Sequence, residues 1–262
     1  MDSRQRKFFD SSYFAAALRS AFNYATLFKK ARGDDTMGKK IWNHQGIVEK
    51  FEANRNEEAA RPMSAYMRNQ FEFLGIQTPL RKALLREQFL EYQLPDPEHL
   101  AEEVWKLYKL PEREYQYAAI ALLEKMQKQL TVDHLPFLRE LIESKSWWDS
   151  VDAIAPRTLG HVILTERAAG TTAMFEWSQA SNMWTNRAAV LHQLKFKQQT
   201  DTAALGHIIL QHAASPEFFI QKSIGWALRE YAKTDAEWVR AFVLEHSLMP
   251  LSKREALKNI KK

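Results

Sequence analysis

The sequence predicts an all-α protein built as a helical repeat solenoid, and three observations lead to this fold class. Glycine is scarce, with 8 among 262 residues, and no stretch alternates apolar and polar residues as a half-buried strand does. Helical segments of ordinary length are separated by short breaks that contain proline or aspartate. The third observation is an internal repeat, which is typical of helical pairs stacked into a solenoid.

The repeat is marked by small residues that recur at a constant spacing. Ala118, Ala153, Ala188 and Ser223 lie 35 residues apart, and the segment 253–256 follows 32 residues later as a fifth copy. A small side chain at a fixed helix position lets a neighbouring helix approach closely. Stacked helical pairs bury a continuous core and expose one long concave surface. We therefore expect a HEAT-like solenoid of antiparallel helix pairs with a basic concave face.

The individual elements follow from the breaks between them. Pro and Asp interrupt the helical pattern from residue 41 onward, and the segments between them have the length of ordinary helices. The predicted breaks fall near residues 61–62, 77–79, 95–97, 110–111, 131–133, 215–216 and 250.

Composition excludes several classes of protein and favours one kind of partner. The chain has no cysteine, so disulfides and thiolate metal sites are excluded. No apolar stretch reaches the roughly 18–20 residues of a membrane span. We therefore expect no membrane partner. The formal net charge of +5 favours a polyanion. His207 and His212 are five residues apart, which does not match the spacing of four that two metal ligands on one helix face require, so we expect no metal. No nucleotide-binding loop occurs, and we expect no cofactor.

The chain is expected to consist of two parts. Residues 1–40 are basic and aromatic and end in a linker-like stretch at 33–38, so they form an extension, a leader or an extra helix. Residues 41–262 form the single repeat domain.

One column of side chains runs along the predicted solenoid. The residue before each small centre is Tyr117, Asp152, Arg187, Lys222 or Arg254. Equivalent positions of stacked repeats project from the same side, so these residues form either a solvated polar face or a ligand-binding surface. An ion pair between Asp152 and Arg187, one repeat apart, is also plausible.

Tryptophans stand one helical turn from this column, which favours a ligand-binding surface. Trp148 precedes Asp152 by four residues and Trp226 follows Lys222 by four, so each pair shares a helix face. Cations interleaved with flat rings suit a phosphate backbone and its sugars or bases.

The segment around Asp152 carries two further expectations. Ser146-Trp147-Trp148-Asp149 fits a capping box, which would give Asp149 a structural role. Pro156 lacks the N–H that would bond the carbonyl of Asp152, so a kink is expected there.

The chain resembles the AlkD-type DNA alkylation repair glycosylases, and the similarity runs in order from about residue 45 to the C-terminus. Lys145-Ser146-Trp147-Trp148-Asp149-Ser150-Val151-Asp152 carries the strongest likeness. The other matching segments are 73–79, 110–114, 187–189, 218–222, 224–226 and 251–256. The resemblance implies an all-α HEAT-like fold and removal of N3- and N7-alkylated purines from duplex DNA without base flipping. It does not extend to residues 1–40.

The resemblance also implies roles for individual residues. Asp152 matches the catalytic aspartate, Trp148 and Trp226 match two tryptophans that flank the lesion's deoxyribose, and Arg187 matches an arginine beside the aspartate. Residues matched to the DNA-binding surface are Tyr66, Gln77, Thr78, Lys195, Lys222, Arg229 and Arg254. A monomeric enzyme of base excision repair, cytoplasmic and acting on the bacterial nucleoid, is the resulting expectation.

A single carboxylate is chemically sufficient for this reaction. An ordinary glycosidase needs a second carboxyl group to protonate its leaving group, whereas a cationic alkylpurine departs as a neutral base. Asp152 then either stabilises positive charge on the sugar or activates a water. Two alternatives stay open: Schiff-base chemistry at Lys222, and a non-catalytic solenoid that binds DNA or protein.

Overall fold

The computed structural model describes residues 38–260, and the regular elements in this range are all helical. The prediction of an all-α repeat fold is confirmed. The helices are α1 (Gln45–Glu52), α2 (Glu57–Tyr66), α3 (Thr78–Glu91), α4 (Leu100–Tyr108), α5 (Arg113–Met126), α6 (Leu135–Glu143), α7 (Trp148–Ile154), α8 (Gly160–Thr165), α9 (Arg167–Ser178), α10 (Met183–Leu191), α11 (Thr202–Gln211), α12 (Phe218–Tyr231), α13 (Ala236–Glu245) and α14 (Pro250–Leu257).

The internal repeat appears as two rows of helices. Helices α5, α7, α10 and α12 begin at residues 113, 148, 183 and 218, again 35 apart, and α14 begins at 250. Each of these five helices contacts the next, and together they form what we call the inner row. Helices α4, α6, α9, α11 and α13 each precede an inner helix along the chain and form the outer row. This is the arrangement of stacked helical pairs.

Buried small residues allow the inner helices to pack closely. Ala118, Ala188 and Ser223 are fully buried, and Ala153 packs partly buried against the core. The tightest approach joins α12 to α14, where a Cβ added at Gly225 would lie 2.4 Å from the Cβ of Glu255. Glycine is therefore required at this contact.

A side-chain amide recurs at the same position of three repeats. Asn186 follows Gln116 by 70 residues, or two repeats, and Gln221 follows Asn186 by 35. Each amide donates hydrogen bonds to backbone carbonyls at the end of the preceding outer helix or in the loop that follows it. A helix end leaves carbonyl groups without partners. These amides satisfy some of those carbonyls and fix each outer helix to its inner partner.

Helix boundaries agree with the predicted breaks except at Pro62. That residue lies inside α2, which begins after Asn56, whose side chain accepts a hydrogen bond from Ala59. The prediction of a break at 61–62 was wrong because the capping residue stands earlier than the proline. Asn182, Asp201 and Asp235 cap α10, α11 and α13 in the same way.

The predicted capping box at Ser146 is also wrong. The Ser146 hydroxyl donates to the carbonyl of Ile142, and Asp149 points away from the backbone of its own helix. Asp149 accepts two hydrogen bonds from Arg113, at 2.7 and 3.0 Å, and one from Tyr117 at 2.6 Å. A fully buried guanidinium needs a charge partner more than the helix end needs a cap. Asp149 is structural, but through an ion pair.

The loop between α2 and α3 is fixed by Glu114. The carboxylate of this buried residue accepts hydrogen bonds from the backbone amides of Leu74, Gly75 and Ile76, each at 2.9 Å. Gly75 has a φ of +86°, and a Cβ there would lie 1.9 Å from the carbonyl oxygen of Asn56. The loop therefore depends on glycine and on the carboxylate together, and it sets the positions of Tyr66 and of the start of α3.

The proline kink after Asp152 takes the form of a π-helical turn. Residues Ala155–Leu159 form this turn and join α7 directly to α8. A wider turn is the expected response to a proline inside a helix. Asp152 and His161 therefore lie on one continuous helical segment.

Residues Ile41–Lys262 form one compact unit. Most of the predicted N-terminal part, residues 1–37, lies outside the described residues, and the domain division stays a prediction. Across residues 38–260, no helix has both the length and the apolar character that a membrane crossing requires.

Candidate active site

A cleft of about 340 Å³ opens on the inner row and collects most of the residues that the sequence singled out. The tryptophans come from α7 and α12, and Tyr66 comes from the end of α2. The cleft is lined by Tyr66, Trp148, Asp152, Arg187, Phe218, Phe219, Lys222, Trp226 and Arg229.

Asp152 is held by Arg187 in a bidentate ion pair. The guanidinium Nε and Nη2 donate to the two carboxylate oxygens, each at 2.8 Å, and Nη1 donates to the backbone carbonyl of Phe219. The 35-residue step places both side chains at one level of neighbouring helices. The ion pair that the column suggested is therefore present, and it fixes the carboxylate in the cleft.

Two opposing effects act on the protonation of Asp152. Burial raises the pKa of its carboxyl group, and the hydrogen bonds and charge of Arg187 act against this rise. Burial dominates, so the pKa lies above its ordinary value of 3.8. The side chain is 17% exposed, on the side of the cleft.

Aromatic rings form the walls of the cleft. Trp148 is the first residue of α7, and its ring meets that of Tyr66 edge-on, with centroids 6.1 Å apart. Trp226 stands on α12 among the partly buried residues. Adjacent Trp147 points elsewhere and packs against Trp184 and Phe219, as expected for two neighbouring helix-start residues.

The two other cations of the cleft share one carboxylate. Lys222 lies 3.1 Å from Glu255 of α14, and Arg229 pairs with the other oxygen of the same group. Three cations and two carboxylates, Asp152 and Glu255, leave the cleft with a net charge of about +1. A Schiff-base mechanism needs a free amine, whereas the amine of Lys222 is engaged in this ion pair.

Comparison with known protein families assigns the chain. The model of the DNA alkylation repair enzyme family matches residues 47–260, which is most of the chain. The chain belongs to the DNA alkylation repair enzyme family. Membership implies a role in the repair of alkylated DNA and, with it, DNA binding. The comparison with curated proteins found no match.

Two solved structures resemble this member of the DNA alkylation repair enzyme family. A predicted DNA alkylation repair enzyme from Enterococcus faecalis is 36% identical, with a TM-score of 0.75, over 79% of this chain and 97% of that one. The protein smu.31 from Streptococcus mutans UA159 is 17% identical, with a TM-score of 0.53, over 80% of this chain and all of that one. The second likeness concerns the fold alone.

Four of the predicted DNA-binding residues of this family member do not line the cleft. Gln77 and Thr78 are exposed where α3 begins, and Lys195 is exposed beside a separate groove. Arg254 is exposed on α14, while Glu255 faces α12. The expected place of Arg254 in the column was wrong because Ser252, Glu255 and Ala256 form the face of α14 that packs on α12.

Sequence reasoning missed three residues at the site of this repair-family chain. Phe218 and Phe219 line the cleft, and Glu255 pairs with two of its cations. Phe218 stands two repeats after Trp148, at the first position of its helix, so the repeat spacing contained the signal for it. Glu255 directly precedes the buried small residue Ala256, so a fifth copy centred on Ala256 would have included it in the column.

One group of metal-capable side chains occurs within residues 38–260. Asp96, Glu98 and His99 are exposed before α4 and lie close together, but none of them lines the cleft. Exposed clusters of this kind are common without a metal ion.

Proposed function

We propose that the protein is a monofunctional DNA N-glycosylase that excises cationic N3- and N7-alkylated purines from duplex DNA, as the first step of base excision repair. The observation that carries this proposal is the placement of Asp152: an oriented carboxylate in a cleft walled by Trp148, Trp226 and Tyr66. Membership of the DNA alkylation repair enzyme family supports the substrate class.

The chemistry requires one bond to break and one water to add. The C1′–N9 bond breaks, and its electron pair moves to N9, which neutralises the positive charge of the alkylated base. Positive charge develops on the deoxyribose, and a water then adds to C1′ and loses a proton. No general acid is needed because the leaving group departs neutral. Asp152 either stabilises the sugar cation or accepts the water's proton.

The expected magnitude is consistent with a single carboxylate. An ionised carboxylate about 4 Å from a developing charge contributes roughly 4 kcal/mol at an effective dielectric near 20, which corresponds to about 10³ in rate. A tryptophan face adds cation–π attraction of about 0.5–2 kcal/mol. Neutral purines are poor leaving groups, so the same site discriminates against undamaged DNA.

The lining of the cleft supports catalysis without base flipping. Enzymes that flip a base hold it in a close-fitting pocket and read its Watson–Crick edge through hydrogen bonds. Tyr66 and Phe218 at the rim of the cleft are 72% and 53% exposed. Such a cleft suits contact with a sugar and its backbone.

The test is the release of 7-methylguanine from methylated duplex DNA, measured by mass spectrometry. We expect Asp152→Asn to lower the single-turnover rate by about 10³ or more, since the sugar charge loses its counter-charge. DNA affinity, measured by fluorescence anisotropy, should stay within a few-fold of wild type.

The matched control is Asp133→Asn, at an exposed residue outside the cleft. This variant should release base at the wild-type rate. Circular dichroism should show that both variants are folded, because Asp152→Asn also weakens an ion pair. Wild-type release that persists in Asp152→Asn would remove this carboxylate from the mechanism.

A non-catalytic DNA-binding solenoid is the second candidate, and the ion pair of Asp152 with Arg187 favours it, because such a pair is also a common structural feature. A protein that only binds DNA would release no base from methylated DNA. Its affinity for DNA would also not depend on whether the lesion is charged.

A further inference from the structure

The cations that line the cleft are already paired with carboxylates. Arg187 is bound to Asp152, and Lys222 and Arg229 are bound to Glu255. Affinity for duplex DNA comes largely from cations that neutralise phosphates. A cleft with a net charge of about +1 supplies little of that affinity, so other cations must provide it.

A row of exposed cations borders two further grooves, which meet at the end of α5. One groove, of about 520 Å³, runs between α3 and α5, and the other, of about 440 Å³, runs along α8. The two grooves share Glu124, so they are continuous. We call their cations the cationic track. Its members are Lys82, Arg86, Lys125, Arg157 and Lys195.

The cationic track differs from the cleft in its charge balance. Arg157 pairs with Glu124 at 3.0 Å, whereas Lys82, Lys125 and Lys195 form no ion pair within residues 38–260. Five cations and one carboxylate give the track a net charge of about +4. All five cations are exposed. Within residues 38–260, all of them except Arg157 are therefore available to phosphates without the loss of an existing ion pair.

The track is displaced from the cleft along the helix axes. Lys125 follows Tyr117 by eight residues in α5, and Tyr117 occupies the column position of Asp152 one repeat earlier. Eight residues correspond to about 12 Å along a helix. His161, beside the track, follows Asp152 by nine residues on one helical segment. This separation matches the width of about 12 Å of the major groove, across which the two backbones face each other.

We propose that the cationic track holds phosphates of the complementary strand while the cleft faces the deoxyribose of the lesion strand. The track then makes the protein select duplex over single-stranded DNA. This inference rests on the proposed function, because the lesion strand is assigned to the cleft through Asp152.

The test compares the full-length protein with a variant that combines Lys82→Gln, Lys125→Gln and Lys195→Gln. Affinity for a 25-base-pair duplex containing one 7-methylguanine is measured against salt concentration. Loss of three phosphate contacts should reduce the slope of log K against log salt by about 2.7. The control combines Lys106→Gln, Arg139→Gln and Arg240→Gln on the outer row, which removes the same charge and should leave the slope unchanged.

The strand is identified with neutral methylphosphonate linkages placed in one strand at a time. In wild type, methylphosphonates in either strand should weaken binding. In the track variant, those in the complementary strand should cause no further loss, while those in the lesion strand should weaken binding as in wild type. Equal further losses from both strands, or an unchanged salt slope, would overturn the proposal.

This experiment separates the two proposals. The role of the cationic track is measured as affinity for the DNA duplex. The glycosylase activity is measured as base release in the same samples. A wild-type protein that releases no base but shows the strand-specific losses would contradict the proposed function and leave the track supported.

Discussion

The protonation of Asp152 results from two contacts that act in opposite directions. Burial favours the neutral acid, and Arg187 favours the carboxylate. Since the proposed mechanism needs the carboxylate, the acid limb of the pH–rate profile should lie above the ordinary pKa of aspartate, 3.8. Activity should fall as the pH drops through this raised pKa. A single-turnover profile from pH 4 to 9 checks the position of the limb.

Removal of the Arg187 side chain should move the acid limb of the pH–rate profile further, to higher pH. In Arg187→Gln the carboxylate loses its charge partner while staying buried, so the pKa of Asp152 rises and the acid limb moves to higher pH. The rate at neutral pH should fall and recover partly at alkaline pH. Asp152→Asn serves as the control, since it should show no such recovery. A profile that keeps its wild-type position in Arg187→Gln would contradict this role for the arginine.

The aromatic walls of the cleft give a second prediction at the residue scale. Trp226→Leu should lower the rate of 7-methylguanine release by about 2- to 30-fold, because a cation–π contribution of about 0.5–2 kcal/mol is lost. Trp238, a partly buried residue of the outer row, offers a matched Trp→Leu control outside the cleft. That control should reduce thermal stability without changing the rate of the folded protein. Equal rates in both variants would remove Trp226 from the chemistry.

At the scale of single elements, the loop before α3 depends on one buried carboxylate. Glu114→Gln places an amide among three backbone N–H donors and removes a charge-assisted acceptor, so we expect a loss of about 2–4 kcal/mol in the free energy of unfolding. Urea denaturation measures this loss. Glu140→Gln, at an exposed position of α6, should change the free energy by less than about 0.5 kcal/mol. Comparable losses in the two variants would show that the three hydrogen bonds from the loop to Glu114 do not add to the free energy of unfolding.

The elements also show where sequence patterns were sufficient and where they were not. The prolines at 79 and 250 stand at helix starts, as their fixed φ favours. The break predicted at Pro62 and the capping box predicted at Ser146–Asp149 were both wrong. In each segment a second structural signal was present, and the structure follows that signal. Asn56 caps α2 before the proline, so the helix begins earlier than predicted. The buried Arg113 of α5 binds the carboxylate of Asp149, which therefore does not cap α7. Such competition is decided by partners distant in sequence.

For the whole molecule, one buried histidine makes stability depend on pH. His192 is completely enclosed, its Nδ1 lies 2.6 Å from the carbonyl of Ala189, and burial lowers its pKa from 6.5 to about 4. Below pH 6.5 the unfolded chain binds a proton that the folded chain does not bind until about pH 4. This residue therefore contributes stability above pH 6.5, and about 3 kcal/mol of it is lost as the pH falls to 4.

The contribution of His192 can be isolated by comparing slopes. His192→Asn keeps a donor for the carbonyl of Ala189 but does not titrate, so its free energy of unfolding should fall less steeply between pH 6.5 and 4 than that of wild type. Urea denaturation at intervals of half a pH unit gives both slopes. His99→Asn, at an exposed histidine, should retain the wild-type slope. Equal slopes in wild type and His192→Asn would contradict this assignment.

The sequence by itself determined the helical class, the 35-residue repeat and the column that contains Asp152 and Arg187. These are periodic features, and stacking translates a constant spacing along the chain into a constant position in space. Only the tertiary structure decided which charges are free. It paired Lys222 and Arg229 with Glu255 from a shorter repeat. Among the described residues, 38–260, it brought no carboxylate into an ion pair with Lys82, Lys125 or Lys195. A spacing places side chains on a face, but an ion pair forms only where two helices bring opposite charges within a few ångströms.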